Sequence, residues 1–196
     1  MRSRFGLCIL VLAAMLLVTV KATPSFSAPF SSCREYRAMQ RHLTKKYQAK
    51  RLKALEIYFT RKNPKVSQKK ISRYANLIDQ YSSQYGLDPF LVAGVMMKES
   101  TVKENAVSKG NYGLMQINWN ANRPWIVKTF PIKTKKQLMV PENNIRVGVH
   151  ILAANIKKSK GSVDKGLDRY RGRSLASYRN SVHAHYLAIA RIFKKL

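Results

Sequence analysis

Apolar residues recur at helical spacing along most of the chain, and no stretch of useful length alternates apolar and polar residues as a half-buried strand does. Within each helical stretch the apolar residues fall on one face. The predicted helices cover about 34–61 (one long helix or two shorter ones), 68–85, 89–99, 141–160 and 175–193. The pattern therefore predicts a mainly α fold with at most a very small β element.

Capping residues mark where several of these helices begin and end. Ser67 is a candidate N-cap residue. Gly86 stands just past a predicted helix end, where a left-handed backbone is common. Asp88 and Pro89 combine a capping side chain with proline at the first helical position. Gly161 ends the helix that begins at residue 141 in the same way.

Two stretches have no decisive pattern. Residues 113–118 are compatible with a short strand or with the start of another helix. Residues 119–140 contain two tryptophans, two prolines and a lysine-rich part, which together predict mixed loop and short helix.

The chain divides into three predicted segments. Residues 1–22 have two arginines and an apolar run over 5–20, which predicts a signal peptide cleaved after Ala22. The alternative is an uncleaved anchor, although the run is short for a membrane span. Residues 23–66 form a basic helical extension, and residues 67–196 form the main domain. Either reading predicts export to the periplasm or cell envelope.

Charge is the strongest signal in the composition. The chain has 37 Lys and Arg against 9 Asp and Glu, with a net charge of +28. Such a field attracts polyanions. An exported chain without a nucleic-acid-binding motif is not expected to bind nucleic acid, so an anionic envelope surface is the better partner. The basic helical stretch 34–61 could lie on such a surface or on a partner, but packing on the domain is the expectation.

Metal and cofactor chemistry is not predicted. After removal of the signal peptide Cys33 is the one cysteine, an unpaired thiol near a flexible start. His183 and His185 are two residues apart on a helix and point to different faces, and His150 stands alone. The sequence also has no Ser/His/Asp arrangement, no glycine-rich phosphate loop and no repeat.

The main candidate for chemistry is Glu99. On a helix it falls on the same side as Val92, Val95 and Met96. A carboxylate on the apolar side of a helix, at its last turn, is unusual. Because burial disfavours the charged form, this group can stay protonated near neutral pH and act as a general acid.

A second interpretation of Glu99 is a surface ion pair. Lys103 follows it by four residues, which is the favourable order for such a pair. This interpretation requires the helix to continue through Thr101 and Val102, which are β-branched and poor helix formers. Spacing alone does not decide between the two.

Several short segments stand in an order that is typical of one enzyme family. They are Asp88-Pro89-Phe90-Leu91-Val92, Glu99-Ser100, Asn105-Ala106-Val107-Ser108, Gly113-Leu114-Met115-Gln116, and Asn144-Ile145 with Gly148 and Leu152. Each is weak alone, but together they are specific. From about Ile71 to its C-terminus the chain resembles the catalytic domain of soluble lytic transglycosylases. These are lysozyme-like, peptidoglycan-cleaving enzymes, and the resemblance implies a lysozyme-like transglycosylase domain here.

The resemblance implies a lyase that cleaves the β-1,4 bond between N-acetylmuramic acid and N-acetylglucosamine. Glu99 would protonate the leaving oxygen and then act as base on the muramyl 6-hydroxyl, giving 1,6-anhydro ends. Asn111 stands where the similar stretch of animal-type lysozymes has its second acid, and an amide cannot replace that carboxylate. Glu104, in a polar loop, is expected to be solvated. A hydrolytic lysozyme remains the alternative enzyme.

The resemblance also implies the substrate-binding positions, and no cofactor or metal. Tyr170 matches the tyrosine of a late Ala-Tyr-Asn-Gly motif near the catalytic acid, although Arg171 replaces the Asn here. Trp119 and Trp125 could stack on sugars or belong to the core. Asn144 could anchor a loop or a sugar amide, or cap a helix start. The predicted substrate-binding residues are Ser100, Ser108, Gly113, Met115, Gln116, Asn144 and Tyr170.

The predicted partners are peptidoglycan glycan strands. Small exported members of the family commonly open the wall locally for secretion, conjugation or flagellar machinery, and the short chain fits that role. A third hypothesis, motivated by the charge, is a non-catalytic scaffold that binds the anionic envelope.

Overall fold

The computed structural model describes residues 29–196, so the predicted signal peptide lies outside the described residues. The described part is mainly α, as the pattern predicts, with one very small sheet. The helices are α1 (Arg34–Met39), α2 (Gln48–Lys62), α3 (Gln68–Tyr85), α4 (Pro89–Ser100), α5 (Trp119–Thr129), α6 (Lys135–Met139), α7 (Pro141–Lys158), α8 (Val163–Arg171) and α9 (Ala176–Lys195). The strands are β1 (Val107–Ser108), β2 (Asn111–Tyr112) and β3 (Ile117–Asn118).

Helix α4 forms the centre of the core. Every residue from Pro89 to Met97 is buried. A helix that is apolar on all sides is a core helix. The burial of α4 is therefore more complete than the one apolar face predicted from the sequence. Glu99 stands in the last turn, where the helix leaves the core.

The start of α4 matches its prediction. The Asp88 carboxylate accepts a hydrogen bond from the Phe90 backbone N at 2.8 Å, and Pro89 follows it as the first helical residue. The hydroxyl of Tyr186, on α9, donates to the other Asp88 oxygen at 2.7 Å. Burial raises the pKa of Asp88 to about 6, although these hydrogen bonds act in the opposite direction.

Helices α4 and α9 cross very closely at Gly94. A Cβ atom on this glycine would lie 2.9 Å from the backbone oxygen of Val182, which is closer than Cβ atoms come in proteins. The absence of a side chain at Gly94 therefore sets how near α9 lies to α4.

The end of α4 decides one of the alternatives for Glu99. The helix ends at Ser100, and Thr101 and Val102 adopt left-handed backbone conformations, with φ of 51° and 62°. Such conformations are unfavourable for β-branched residues. Within residues 29–196, no ion pair joins Glu99 to Lys103. The interpretation as a helical surface pair is therefore wrong.

The basic N-terminal stretch packs on the domain, which was the expected alternative. It forms two helices, and α2 lies against α3 and α9. Arg51 of α2 donates to Asp79 of α3 at 2.8 Å, and both side chains are almost fully buried. The same guanidinium donates to the backbone oxygens of His42 and Thr44, both at 2.7 Å. One buried ion pair therefore joins α2, α3 and the chain before α2.

The expectation of a flexible chain around Cys33 is wrong for the described residues. Cys33 is buried, and Phe30 is 1% exposed. The backbone N of Phe30 donates to Asp164 at 2.8 Å, and its ring packs edge-on against Tyr186. Long-range contacts of this kind leave no local signal in the sequence.

The structure shows what forms in the two stretches, 113–118 and 119–140, whose sequence pattern was not decisive. Strands β1, β2 and β3 form an antiparallel sheet in that order, so residues 113–118 contain a turn and a strand. Helix α5 continues through Pro124.

Helix α8 was not predicted at all. It is short and mostly polar, and it packs on α7 at Gly166, where a Cβ would lie 2.4 Å from Ile156. Its stability therefore depends on tertiary packing.

Among the helices of residues 29–196, none combines the length and the apolar content that crossing a membrane requires.

We expect Asp79→Ala to lower the free energy of unfolding by about 3–5 kcal/mol, because it leaves the Arg51 guanidinium buried without its carboxylate. Urea denaturation measures the change. Arg73→Gln is the matched control. It breaks the pair with Glu142, which is 3.9 Å long with both side chains 55% exposed, and it should cost less than about 1 kcal/mol. Equal losses in the two variants would contradict the assignment.

We expect Gly94→Ala to cost about 1–3 kcal/mol of stability, because the added methyl group forces α9 away from α4. Alanine is otherwise the better helix former, by about 1 kcal/mol. Urea denaturation measures the free energy of unfolding of both proteins. A Gly94→Ala variant that is more stable than the parent would show that the two helices do not meet this closely.

Candidate active site

Glu99 lies at the end of α4, partly accessible and otherwise enclosed by protein. The hydroxyl of Tyr178, in the first turn of α9, donates to Glu99 Oε1 at 2.6 Å. Tyr178 is 2% exposed, so this hydrogen bond is shielded from water. Helix α9 therefore supplies a buried hydrogen-bond donor to the carboxylate of Glu99, in the last turn of α4.

Burial raises the pKa of Glu99 above its ordinary value. The hydrogen bond from Tyr178 lowers it in part, and the charges of Arg171 and Lys98 lower it further, without cancelling the effect of burial. Burial and the nearby Glu99 charge raise the pKa of Tyr178, so this hydroxyl remains a donor. The predicted rise in the pKa of Glu99 is confirmed in direction.

Helix α8 brings two further side chains to this region. The hydroxyl of Tyr170 donates to the backbone oxygen of Met115 at 2.8 Å. Burial raises the pKa of Tyr170, and the charge of Glu99 raises it further. Arg171 is exposed, and its charge acts on Glu99. Tyr170 therefore lies near the acid, as predicted from the motif, but its hydroxyl holds the backbone of the 113–116 turn.

The turn between β2 and β3 has an unusual backbone that its own side chains hold in place. Gly113 and Gln116 both have positive φ, 76° and 46°. The side-chain nitrogen of Gln116 donates to the backbone oxygens of Ala106 and Gly113, each at 3.0 Å. Gln116, predicted to bind sugar, thus uses its amide nitrogen to brace the loop, and its amide oxygen accepts no hydrogen bond from the described residues.

Asn144 anchors this turn from α7. Its side-chain oxygen accepts a hydrogen bond from the backbone N of Met115 at 2.7 Å. Its nitrogen donates to the backbone oxygens of Tyr112 and Leu138, at 2.9 and 3.1 Å. A Cβ on Gly113 would lie 2.4 Å from this amide, so only glycine fits.

The loop-anchor alternative for Asn144 is the one that the structure favours. The residue is 0% exposed, which excludes direct contact with a sugar. The helix-cap alternative is also wrong, because Val140 is the N-cap residue of α7. The sequence could not distinguish a loop anchor, a sugar contact and a helix cap, because all three are compatible with an asparagine near the start of a helix.

Two more predicted substrate-binding side chains are buried. Met115 is 0% exposed and packs where Gly148 leaves room on α7. Ser100 is 7% exposed, and its hydroxyl donates to the backbone oxygen of Met96 at 3.3 Å. Neither side chain is positioned to contact substrate. Ser108 is exposed, on the outer strand of the small sheet.

Neither position considered for a second acid, Asn111 or Glu104, has a hydrogen bond to Glu99. Asn111 uses its side-chain nitrogen to hold the backbone oxygen of Ser108 at 2.9 Å. Glu104 accepts hydrogen bonds from Lys70 and Tyr74, and these contacts hold its pKa below the ordinary value. Glu104 is therefore ionised. It is bound by two side chains, whereas the prediction was a carboxylate surrounded by water.

The tryptophans are mainly structural. Trp119 is 5% exposed and belongs to the core, which was one of its two alternatives. Trp125 is partly exposed, and its ring stacks on His150 with centroids 5.3 Å apart. Among residues 29–196, no three His, Cys, Asp or Glu side chains lie close enough together to hold a metal ion.

Sequence reasoning missed Tyr178. The available signal was spacing, because Tyr178, Val182 and Tyr186 recur every four residues and share one face of α9. That face packs on α4, so the two tyrosines meet the two carboxylates at opposite ends of α4.

Comparison with known proteins places this geometry in a family. The family model described as the transglycosylase SLT domain matches residues 76–189, which is more than half of the chain and includes Glu99, Tyr170 and Tyr178. No solved structure matches the chain significantly. The chain belongs to the SLT family of lytic transglycosylases, which act on peptidoglycan.

Proposed function

We propose that this protein cleaves the β-1,4 bond between N-acetylmuramic acid and N-acetylglucosamine, leaving 1,6-anhydromuramyl ends, with Glu99 as the one acid and base. The supporting observation is the setting of Glu99. It combines a raised pKa with a buried tyrosine donor. Among residues 29–196, no second carboxylate bonds to Glu99 or is among the groups that shift its pKa. Two-carboxylate glycosidases need a second carboxylate across the scissile bond, and the only acid between residues 100 and 118, Glu104, is held by Lys70 and Tyr74.

In the first step, protonated Glu99 donates its proton to the glycosidic oxygen while the bond from that oxygen to C1 breaks. The leaving N-acetylglucosamine keeps the proton and the bonding electrons. Tyr178 holds Oε1, so we assign the transferred proton to Oε2. Burial favours the protonated carboxyl before this step, and the tyrosine stabilises the carboxylate after it.

In the second step, the Glu99 carboxylate takes the proton of the muramyl 6-hydroxyl as that oxygen bonds to C1. The 1,6-anhydro ring closes and Glu99 is protonated again. Water does not enter the products, which distinguishes this reaction from that of a hydrolytic lysozyme.

We assign substrate contacts to accessible groups of the small sheet, its 113–116 turn and the end of α8. These are the amide oxygen of Gln116, the exposed hydroxyl of Ser108 and the Arg171 guanidinium. The 113–116 turn includes Met115, and Asn144 and Tyr170 hold its backbone. These three residues affect substrate binding through the shape of the turn. The proposed setting is the periplasm or cell envelope after export, and the proposed role is local opening of the wall, for example for a secretion or conjugation machine.

We expect Glu99→Gln to lower turnover of purified peptidoglycan by about 100- to 10,000-fold, the usual contribution of a general acid and base. Glutamine still accepts the Tyr178 hydrogen bond, so the fold and glycan binding should remain. Mass spectrometry of the parent's products should show 1,6-anhydromuramyl ends. Reducing muramic acid ends would indicate a lysozyme, and an inactive parent that binds the wall would indicate a scaffold.

We expect Tyr178→Phe to shift the alkaline limb of the pH–activity profile upward, on the order of one pH unit. A general acid must be protonated, so activity falls as the pH rises through its pKa. Removing a donor that stabilises the carboxylate raises that pKa, and the fall in activity moves to higher pH. Arg171→Asn should shift the limb in the same direction.

Tyr186→Phe is the matched control for this pH experiment. It removes the corresponding hydrogen bond to Asp88 at the opposite end of α4, so the limb should stay in place. If Tyr178→Phe and Tyr186→Phe shift the limb equally, or if neither does, Glu99 is not the group that sets it.

A further inference from the structure

A groove between the C-terminal ends of α2 and α9 is strongly cationic. It has a volume of about 360 Å³, and four of its seven lining residues are Lys or Arg, with no acidic residue among them. All four basic residues are exposed. The lining residues are Tyr58, Arg61, Lys62, Ala188, Arg191, Ile192 and Lys195.

The cations of this groove form no close ion pairs within the described residues, although the charge of Arg191 acts on Glu35. None of the four cations belongs to an ion pair of residues 29–196. Lys62 lies over the ring of Tyr58, 5.7 Å from its centroid, which leaves its charge in place. Four like charges around one small groove repel one another, and a bound anion would relieve that repulsion.

The other three lining residues of the groove, Tyr58, Ala188 and Ile192, are uncharged. The Tyr58 hydroxyl and His185 Nδ1 are 2.7 Å apart. Burial, with the charges of Lys62 and Lys98, lowers the pKa of His185 to about 4. The imidazole is therefore uncharged at neutral pH, so the hydrogen-bond partner of Tyr58 adds no charge beside the groove.

A second groove lies on the other flank of α9, against α1 and α2. Its volume is about 410 Å³, its floor includes Met39 and Phe193, and Glu35 is the one acid that lines it. Lys50 lies 4.7 Å from the centroid of the Phe193 ring. We call the cations of the two grooves the α9 basic face. They are Arg34, Lys50, Arg61, Lys62, Arg191, Lys194 and Lys195.

Most of the α9 basic face lies at the end of α9 opposite the candidate active site, although Lys62 adjoins Asn63, whose side chain donates to the backbone oxygen of Thr101 at 2.9 Å. Tyr178 stands in the first turn of α9 and Arg191 in its last part. At 1.5 Å per residue they are about 20 Å apart along the helix axis. The end of α9 that carries Arg191 is therefore separate from the Tyr178–Glu99 pair.

We propose that the α9 basic face binds the headgroups of anionic phospholipids and docks the domain on a membrane surface. Two observations favour this occupant over a soluble anionic polymer. The cations spread over both flanks of one helix end, which suits a plane of phosphates better than a single strand. Apolar residues lie among them, and Leu196 at the same end is 52% exposed, which suits the boundary between headgroups and acyl chains. The proposal does not depend on the catalytic role of Glu99.

The test is co-sedimentation of the purified chain without the predicted signal peptide, residues 23–196, with vesicles of phosphatidylcholine alone or mixed with phosphatidylglycerol. We expect binding to the mixed vesicles only, weakening as salt is added. The variant with Arg61, Arg191 and Lys195 all changed to Gln should bind on the order of 100-fold more weakly, from the usual contribution of each basic residue near an anionic surface.

The matched control changes Lys128, Lys136 and Lys157 to Gln. These lysines are exposed on α5, α6 and α7, and the control removes the same charge. It should keep most of the binding, and circular dichroism should show all three proteins folded. Equal losses in the two variants would mean that net charge alone drives binding and would overturn the proposal. Failure to bind the mixed vesicles, with tight binding of soluble polyphosphate, would also overturn it and identify a polymer site.

Discussion

The close crossing of α4 and α9 is the constraint on which the rest of the structure depends. At Gly94 the two helices approach until no side chain fits between them. Because they run antiparallel, the face of α9 that packs on α4 presents a tyrosine to each end of it. Tyr186 meets Asp88 at the start, and Tyr178 meets Glu99 at the end. The crossing thus places a carboxylate at each end of α4, and each accepts a hydrogen bond from a tyrosine hydroxyl.

The same physics has different consequences at the two ends of α4. Asp88 is almost fully buried, with its pKa raised to about 6, and it caps the helix. Glu99 is only partly enclosed, so its raised pKa belongs to a carboxyl group that a substrate can reach. Left-handed conformations at Thr101 and Val102 end the helix directly after it and open the chain toward the small sheet. A buried helix becomes a candidate catalytic element only where it leaves the core.

Around Glu99, most of the polar side chains expected to contact substrate instead hold the backbone. Asn144 bonds three backbone groups, Gln116 bonds two, and Tyr170 bonds the oxygen of Met115. Together they stabilise a turn in which Gln116 has a left-handed backbone, a conformation that is costly for a residue other than glycine. The polar residues of this region are therefore divided between building the loop and facing the cleft, and burial decides which residue does which.

The sequence by itself determined the features that depend on neighbours within a few residues. The capped start of α4 at Asp88 and Pro89, the left-handed Gly86 after α3 and the unusual position of Glu99 all follow from local spacing and capping. Tertiary structure alone decided that Tyr178 is the partner of Glu99, that Asn144 is buried and that α8 forms. These features depend on contacts between residues far apart in the chain, and periodicity and capping carry no information about which distant surfaces meet.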